Sequence, residues 1–130
     1  VWGFPKFTGS GVIINARVET AGEKKTFRES LLTNRCIVPS TGFYEWNAQK
    51  KKYLFRLPGE QVLYMAGISK EYDGTQRYVI LTTSANESMK DVHHRMPVIL
   101  PKDKLQMWTS DTDAAMNYLH SDMPQLVRTE

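Results

Sequence analysis

Gly42-Phe43-Tyr44-Glu45-Trp46, Tyr53-Leu54-Phe55-Arg56-Leu57 and Gln61-Val62-Leu63-Tyr64-Met65-Ala66-Gly67-Ile68-Ser69 follow one another in the middle of the chain. All three are rich in aromatic and β-branched residues, and a polar stretch and then Pro58-Gly59 separate them, which predicts a β-meander. On the N-terminal side, Gly11 to Asn15 and Arg35 to Pro39 hold apolar runs short enough to be buried strands. Between them, Thr26 to Leu32 places Phe27 and Leu31 four residues apart. With Thr26 as cap and Glu29 three positions on, this predicts a short helix with a capping box. On the C-terminal side, Tyr72-Asp73-Gly74 is a turn signal and Arg77 to Thr83 reads as a central strand. Glu87 to Val92 is expected to form a short helix, and Pro97 to Leu100 another strand-like run. Leu105 and Trp108 then mark one amphipathic helix, and Asp111 to Leu119 a second with Ala115, Met116 and Leu119 inward. The fold expected is α+β, with a curled mixed or antiparallel sheet approaching a barrel and short peripheral helices.

The chain has 130 residues, 41% of them hydrophobic, which suffices for one core and one domain over residues 1–130. It holds no internal repeat and no linker. No run of about 18 apolar residues is present, so no membrane span is expected. The single cysteine, Cys36, permits no internal disulfide and suits a reducing compartment, and the cytoplasm is the expected location. A net charge of +3 permits a polyanionic partner without requiring one. Lys50-Lys51-Lys52, expected in a hairpin loop, could face solvent or touch such a partner.

Two of the three histidines lie in His93-His94-Arg95-Met96-Pro97. His93 can move protons near neutrality, and Arg95, two residues on, would share its face in an extended segment and could hold a phosphate. His94 would face the other way. Glu45 is unexpected inside an aromatic run. Either it reaches a polar pocket and shuttles protons, or alternation puts it on the wet face with Tyr44 and Trp46 packed inward. Asn15-Ala16-Arg17-Val18-Glu19-Thr20 sets Asn15, Arg17 and Glu19 on alternating positions. Asn15 both donates and accepts, Arg17 suits bidentate phosphate binding, and Glu19 would orient the Arg17 guanidinium. Trp2 and Trp46 could stack on nucleobases or anchor the core. Cys36, in Arg35-Cys36-Ile37-Val38-Pro39, reads as a core residue. The chain has no zinc-ligand spacing, phosphate loop or dinucleotide fingerprint, so neither a metal nor a cofactor is expected.

Trp2-Gly3, the Asn15 to Thr20 run, Arg35 to Pro39 with Gly42 to Trp46, Ala66-Gly67, Leu81-Thr82-Thr83 with Ala85-Asn86, and His93 to Leu100 together resemble the SRAP family, the SOS response-associated peptidase or abasic-site processing domains. The resemblance implies a compact α+β fold with a basic groove for single-stranded DNA containing abasic sites. It also implies a covalent thiazolidine crosslink made by an N-terminal cysteine exposed when the initiator methionine is removed. On that resemblance Asn15, Glu45 and His93 are the catalytic set, while Trp2, Arg17 and Arg95 contact DNA. The hydrolase, protease and lyase labels that travel with the family fit self-processing better than general proteolysis.

The chain starts with Val1 at the Trp-Gly motif, where the family carries its cysteine some tens of residues upstream. An N-terminally incomplete domain that only binds DNA is therefore the expectation for these residues, and the crosslinking activity belongs to the full-length parent. Two alternatives stand beside it. One is a noncatalytic single-stranded DNA-binding or interaction domain, and the other a thiol peptidase using Cys36. A monomer is favoured.

Overall fold

The computed structural model describes residues 1–130. Ten strands and four short helices follow the chain: β1 (Phe4–Pro5), β2 (Val12–Ile13), β3 (Asn15–Arg17), α1 (Val18–Ala21), α2 (Lys25–Thr33), β4 (Arg35–Ser40), β5 (Phe43–Trp46), β6 (Lys52–Arg56), β7 (Leu63–Tyr72), β8 (Thr75–Ser84), β9 (Arg95–Pro97), α3 (Leu105–Ser110), α4 (Thr112–Tyr118) and β10 (Val127–Thr129). The principal sheet runs β3-β8-β7-β4, with β9 also paired to β8. It is mixed, because β3 lies parallel to β8 while β7 is antiparallel to both β8 and β4. A second sheet, β10-β6-β5, and the β1-β2 pair stand apart from it, so the sheets do not close into a barrel. The expected meander is split accordingly: β5 and β6 form one hairpin, and β7 joins the other sheet.

One insertion positions the site. β8 pairs with β7 up to Gly67↔Ile80, and beyond that point β9 takes the β8 edge from Thr82↔Pro97 to Ser84↔Arg95. The chain after β9 fills the gap between the diverging strands. Val98 N–H donates to Leu81 O at 2.9 Å, Ala66 N–H to Val98 O at 2.8 Å, and Leu100 N–H to Tyr64 O at 2.8 Å. Every residue from Arg95 to Leu100 is buried.

The helices cover the outer face. α2 begins at Lys25 with Lys24 as a cap lacking any side-chain bond, so the expected Thr26–Glu29 capping box does not form. Thr26 is already inside the first turn there, beyond the cap position that its hydroxyl would have to occupy. Phe27 and Leu31 are buried as expected. Glu87 to Val92 is a series of turns rather than a helix. Asn86 organises them, accepting from Ser88 N–H at 3.0 Å and donating through Nδ2 to Met123 O and Pro124 O. That side chain competes with the local helix for backbone partners. α4 is capped by Asp111, which accepts from Ala114 N–H at 3.1 Å.

Candidate active site

A cleft of about 910 Å³ opens between the two larger sheets, and Trp2, Asn15, Arg17, Glu45, His93 and Arg95 all line it. Residues from four regions of the chain thus meet in one place. Its apolar wall comes from Val38, Met65, Ile80, Met96 and Pro97.

Glu45 faces into the cleft. Along β5, Phe43 and Glu45 are half-buried while Tyr44 and Trp46 are 52% and 50% exposed. The wet-face reading of Glu45, with the two aromatics inward, is therefore overturned. The phase is set by Phe43, which stacks on the fully buried Phe55 across the hairpin at 5.4 Å between centroids. Because strand side chains alternate, fixing Phe43 inward brings Glu45 to the same face. Trp46 and Tyr44 line the outer part of the cleft, and the Lys52 ammonium lies 4.4 Å from the Tyr44 ring centroid.

His93 Nδ1 stands 3.6 Å from Glu45 Oε2. The same nitrogen is 3.1 Å from Arg95 O and accepts from Arg95 N–H at 3.2 Å. Nδ1 thus meets a backbone carbonyl and a backbone N–H at hydrogen-bond distance, with the Glu45 carboxylate just beyond. His94 does not point away as alternation suggested. Its ring tilts against that of His93 at 4.7 Å, because the pair sits in the bend before β9 rather than within the strand.

Asn15 and Arg17 are exposed on β3 beside this pair, and Ala16 between them is buried. Glu19 does not orient Arg17. The strand ends at Arg17 and α1 starts at Val18, so the alternation stops and the helical turn carries Glu19 to Arg95 instead. Both carboxylate oxygens take a guanidinium N–H at 2.8 Å. Arg95 also donates through Nη2 to Thr82 O at 2.8 Å and is 9% exposed, so it is anchored rather than free-swinging. Trp2 is 47% exposed yet fixed. Its Nε1–H donates to Ile14 O at 3.0 Å, and the indole lies nearly parallel to Tyr78, 6.5 Å between centroids. The roles of Glu19 and Tyr78 were not legible from spacing, because each acts on a partner 76 residues distant in sequence.

The Arg95 guanidinium holds the Glu19 carboxyl down at about 2, against an ordinary value of 4.5. A depressed carboxylate stabilises the fold fully above its unfolded value and loses that contribution as pH falls through its folded one. Acid titration followed by circular dichroism is thus expected to show stability falling between about pH 4.5 and about pH 2, with less of that fall in Glu19→Gln.

Cys36 lies on β4, half-buried and outside the lining of the cleft, and burial pushes its thiol up to about 11. A thiol peptidase pairing Cys36 with His93 has no geometry here. With so little thiolate at neutral pH, Cys36 should react with iodoacetamide roughly 100-fold more slowly in the native than in the unfolded chain. Mass spectrometry of timed samples checks this. No group of three or more His, Cys, Asp or Glu is arranged to hold a metal, and no helix is long and apolar enough to cross a membrane.

Fold and cleft together define an α+β protein whose Glu45–His93 pair lies in a cleft lined by aromatic and cationic side chains. Residues 1–129 match the family described as SOS response associated peptidase (SRAP), and the chain belongs to that family. It is 38% identical over 118 residues to the abasic site processing protein YoaM of Bacillus subtilis, covering 84% of this chain and 52% of the relative. To the abasic site processing protein YedK of Escherichia coli it is 29% identical over 116 residues, covering 82% and 52%. A solved structure of a protein from Bacteroides thetaiotaomicron superposes with a TM-score of 0.76 at 34% identity, over 88% of this chain and 56% of that one. The chain spans about half the length of the curated relatives it matches.

Proposed function

We propose that residues 1–130 form one SRAP-like unit of a cytoplasmic, monomeric protein that senses abasic sites in single-stranded DNA and crosslinks to them. In this reading the amine of a mature N-terminal cysteine, outside these 130 residues, condenses with the ring-opened sugar aldehyde and releases water as the imine forms. The cysteine sulfur then adds to the imine carbon and a proton goes to the nitrogen, closing a thiazolidine. Both steps move protons, and general acid–base catalysis of such steps is worth about 10²–10⁴-fold. Glu45 and His93 are assigned that work, Asn15 positions the terminus or sugar, and Arg17 and Arg95 hold the phosphates. Trp2 offers a fixed face beside the lesion. Removal of the initiator methionine would be self-processing by the same cleft.

The observation that carries this reading is the Glu45–His93 contact of 3.6 Å within a cleft that Asn15 and Arg17 also line. The exposed faces of Trp2, Tyr44 and Trp46, with Lys52 close to Tyr44, supply the stacking and charge that unpaired DNA requires. The test uses the full-length gene product, and its form with the N-terminal cysteine changed to alanine, with abasic single-stranded DNA on a denaturing gel. A covalent adduct with the first and none with the second is expected. No denaturation-resistant adduct from the unaltered protein would show the reading to be wrong.

A further inference from the structure

Arg95 has five N–H donors in one plane. Glu19 takes one from each terminal nitrogen, and Thr82 O takes the second Nη2 hydrogen. Nε–H is buried without a partner. Buried donors are rarely left unpaired, and this one belongs to a residue that lines the cleft, so a small shift of the guanidinium would offer it to an incoming acceptor. The backbone of the same residue contacts His93 Nδ1 through both its N–H and its carbonyl. Glu19 meanwhile sits on the rear side, its side chain 44% exposed, where it also lines a second cleft with Asn86, His120 and Asp122.

We infer that Glu19 is a positioning residue for the reaction in the main cleft: by gripping Arg95 from behind, it fixes the guanidinium, aims Nε–H at an oxygen of the bound strand, and steadies the segment that presents His93 to Glu45. The inference rests on the abasic-site reading above. Glu19 touches neither substrate nor nucleophile and acts through Arg95.

Loss of the Glu19 charge has two opposed consequences. Arg95 becomes an uncompensated cation and attracts phosphates more strongly, while its plane and the His93 segment lose their anchor. For Glu19→Gln in the full-length protein, affinity for lesion-free single-stranded DNA should rise roughly threefold at low salt, with a steeper salt dependence. The maximal rate of adduct formation at saturating abasic DNA should fall about tenfold or more, because small displacements of reacting groups are costly. A merely structural defect would weaken both.

The experiment measures both quantities for the wild type, E19Q, R95Q and the double variant E19Q/R95Q, with E23Q as an exposed charge control expected to react as wild type. If Glu19 works through Arg95, the double variant is no slower than R95Q alone. Multiplying effects of the two substitutions, or a wild-type rate for E19Q, overturns the inference. Should E19Q fail to fold, E19D decides, since it keeps the charge but its stem is one methylene too short to reach the guanidinium at the same distance: a slowed rate without the gain in affinity supports the inference, and a wild-type rate sinks it. A wild-type protein that forms no adduct at all refutes the function instead.

Discussion

Glu45→Gln in the full-length protein is expected to slow adduct formation on abasic single-stranded DNA by about 10²-fold or more, with DNA affinity changed little. The amide keeps the size and the hydrogen-bonding edge of the carboxylate but cannot take a proton. Glu45 is half-buried on the same face as Phe43, and Phe43 on Phe55 holds the strand in register, so the substitution should leave the hairpin intact. The assay is a single-turnover time course on denaturing gels at saturating DNA. A rate equal to wild type would remove Glu45 from proton transfer. Glu45→Ala is expected to be slower still, because it also removes the partner that faces His93 at 3.6 Å.

The largest loss of stability is expected from Trp108→Ala. This indole is fully buried on α3, its Nε1–H donates to Cys36 O at 2.9 Å, and the Arg35 guanidinium lies 5.8 Å from the ring centroid. Arg35 in turn donates through Nε to Trp108 O at 2.6 Å, so helix and strand are joined from both sides. Truncation leaves a cavity beneath α3 and removes the indole donor from the Cys36 carbonyl on β4. Comparable Trp-to-Ala changes cost about 3–5 kcal/mol, and in a chain of this size that lowers Tm by roughly 10–20 °C. Trp108→Phe should recover most of the packing but not the hydrogen bond, leaving a deficit of about 1 kcal/mol beyond the smaller ring. Thermal melts of the three proteins measure both differences, and a Trp108→Ala melt within about 3 °C of wild type would contradict this account.

The α+β class, most strands and three of the helices were legible because they rest on local patterns. Phe27 and Leu31 four apart gave α2, and Leu105 with Trp108 gave α3, as burial later bore out for Phe27, Leu31 and Trp108. Alternation alone left the phase of β5 open, since a period of two says that Tyr44 and Trp46 oppose Glu45 but not which side is inside. Phe55, across the hairpin, decides that. The Glu19 partner was misassigned for a related reason: the alternation of Asn15 and Arg17 was extended past the end of its strand at Arg17 into α1. The six candidate site residues were each singled out by their chemistry, and the family resemblance gathered them into one site. Periodicity would not have gathered them, because they meet through pairings such as Trp2 beside Tyr78 and Arg95 beside Ser84. A curled sheet approaching a barrel was expected from the run of short strands, whereas over these residues the sheets remain separate.

The segment wedged between β7 and β8 has a bearing on how the molecule reaches its native state. Its bonds to Ala66, Leu81 and Tyr64 join residues from 17 to 36 positions apart, so they can form only once both long strands are in place. Contacts of such separation pay their loop-closure entropy before any reward arrives, and they belong to the late part of a folding trajectory. Arg95 and His93 lie just ahead of that wedge in the chain. A chain still searching for its fold, or one locally frayed, therefore holds its proton-handling groups apart. Under the function proposed above, acid–base assistance to aldehyde capture would come only with that last act of consolidation, once the cleft that selects the substrate has formed.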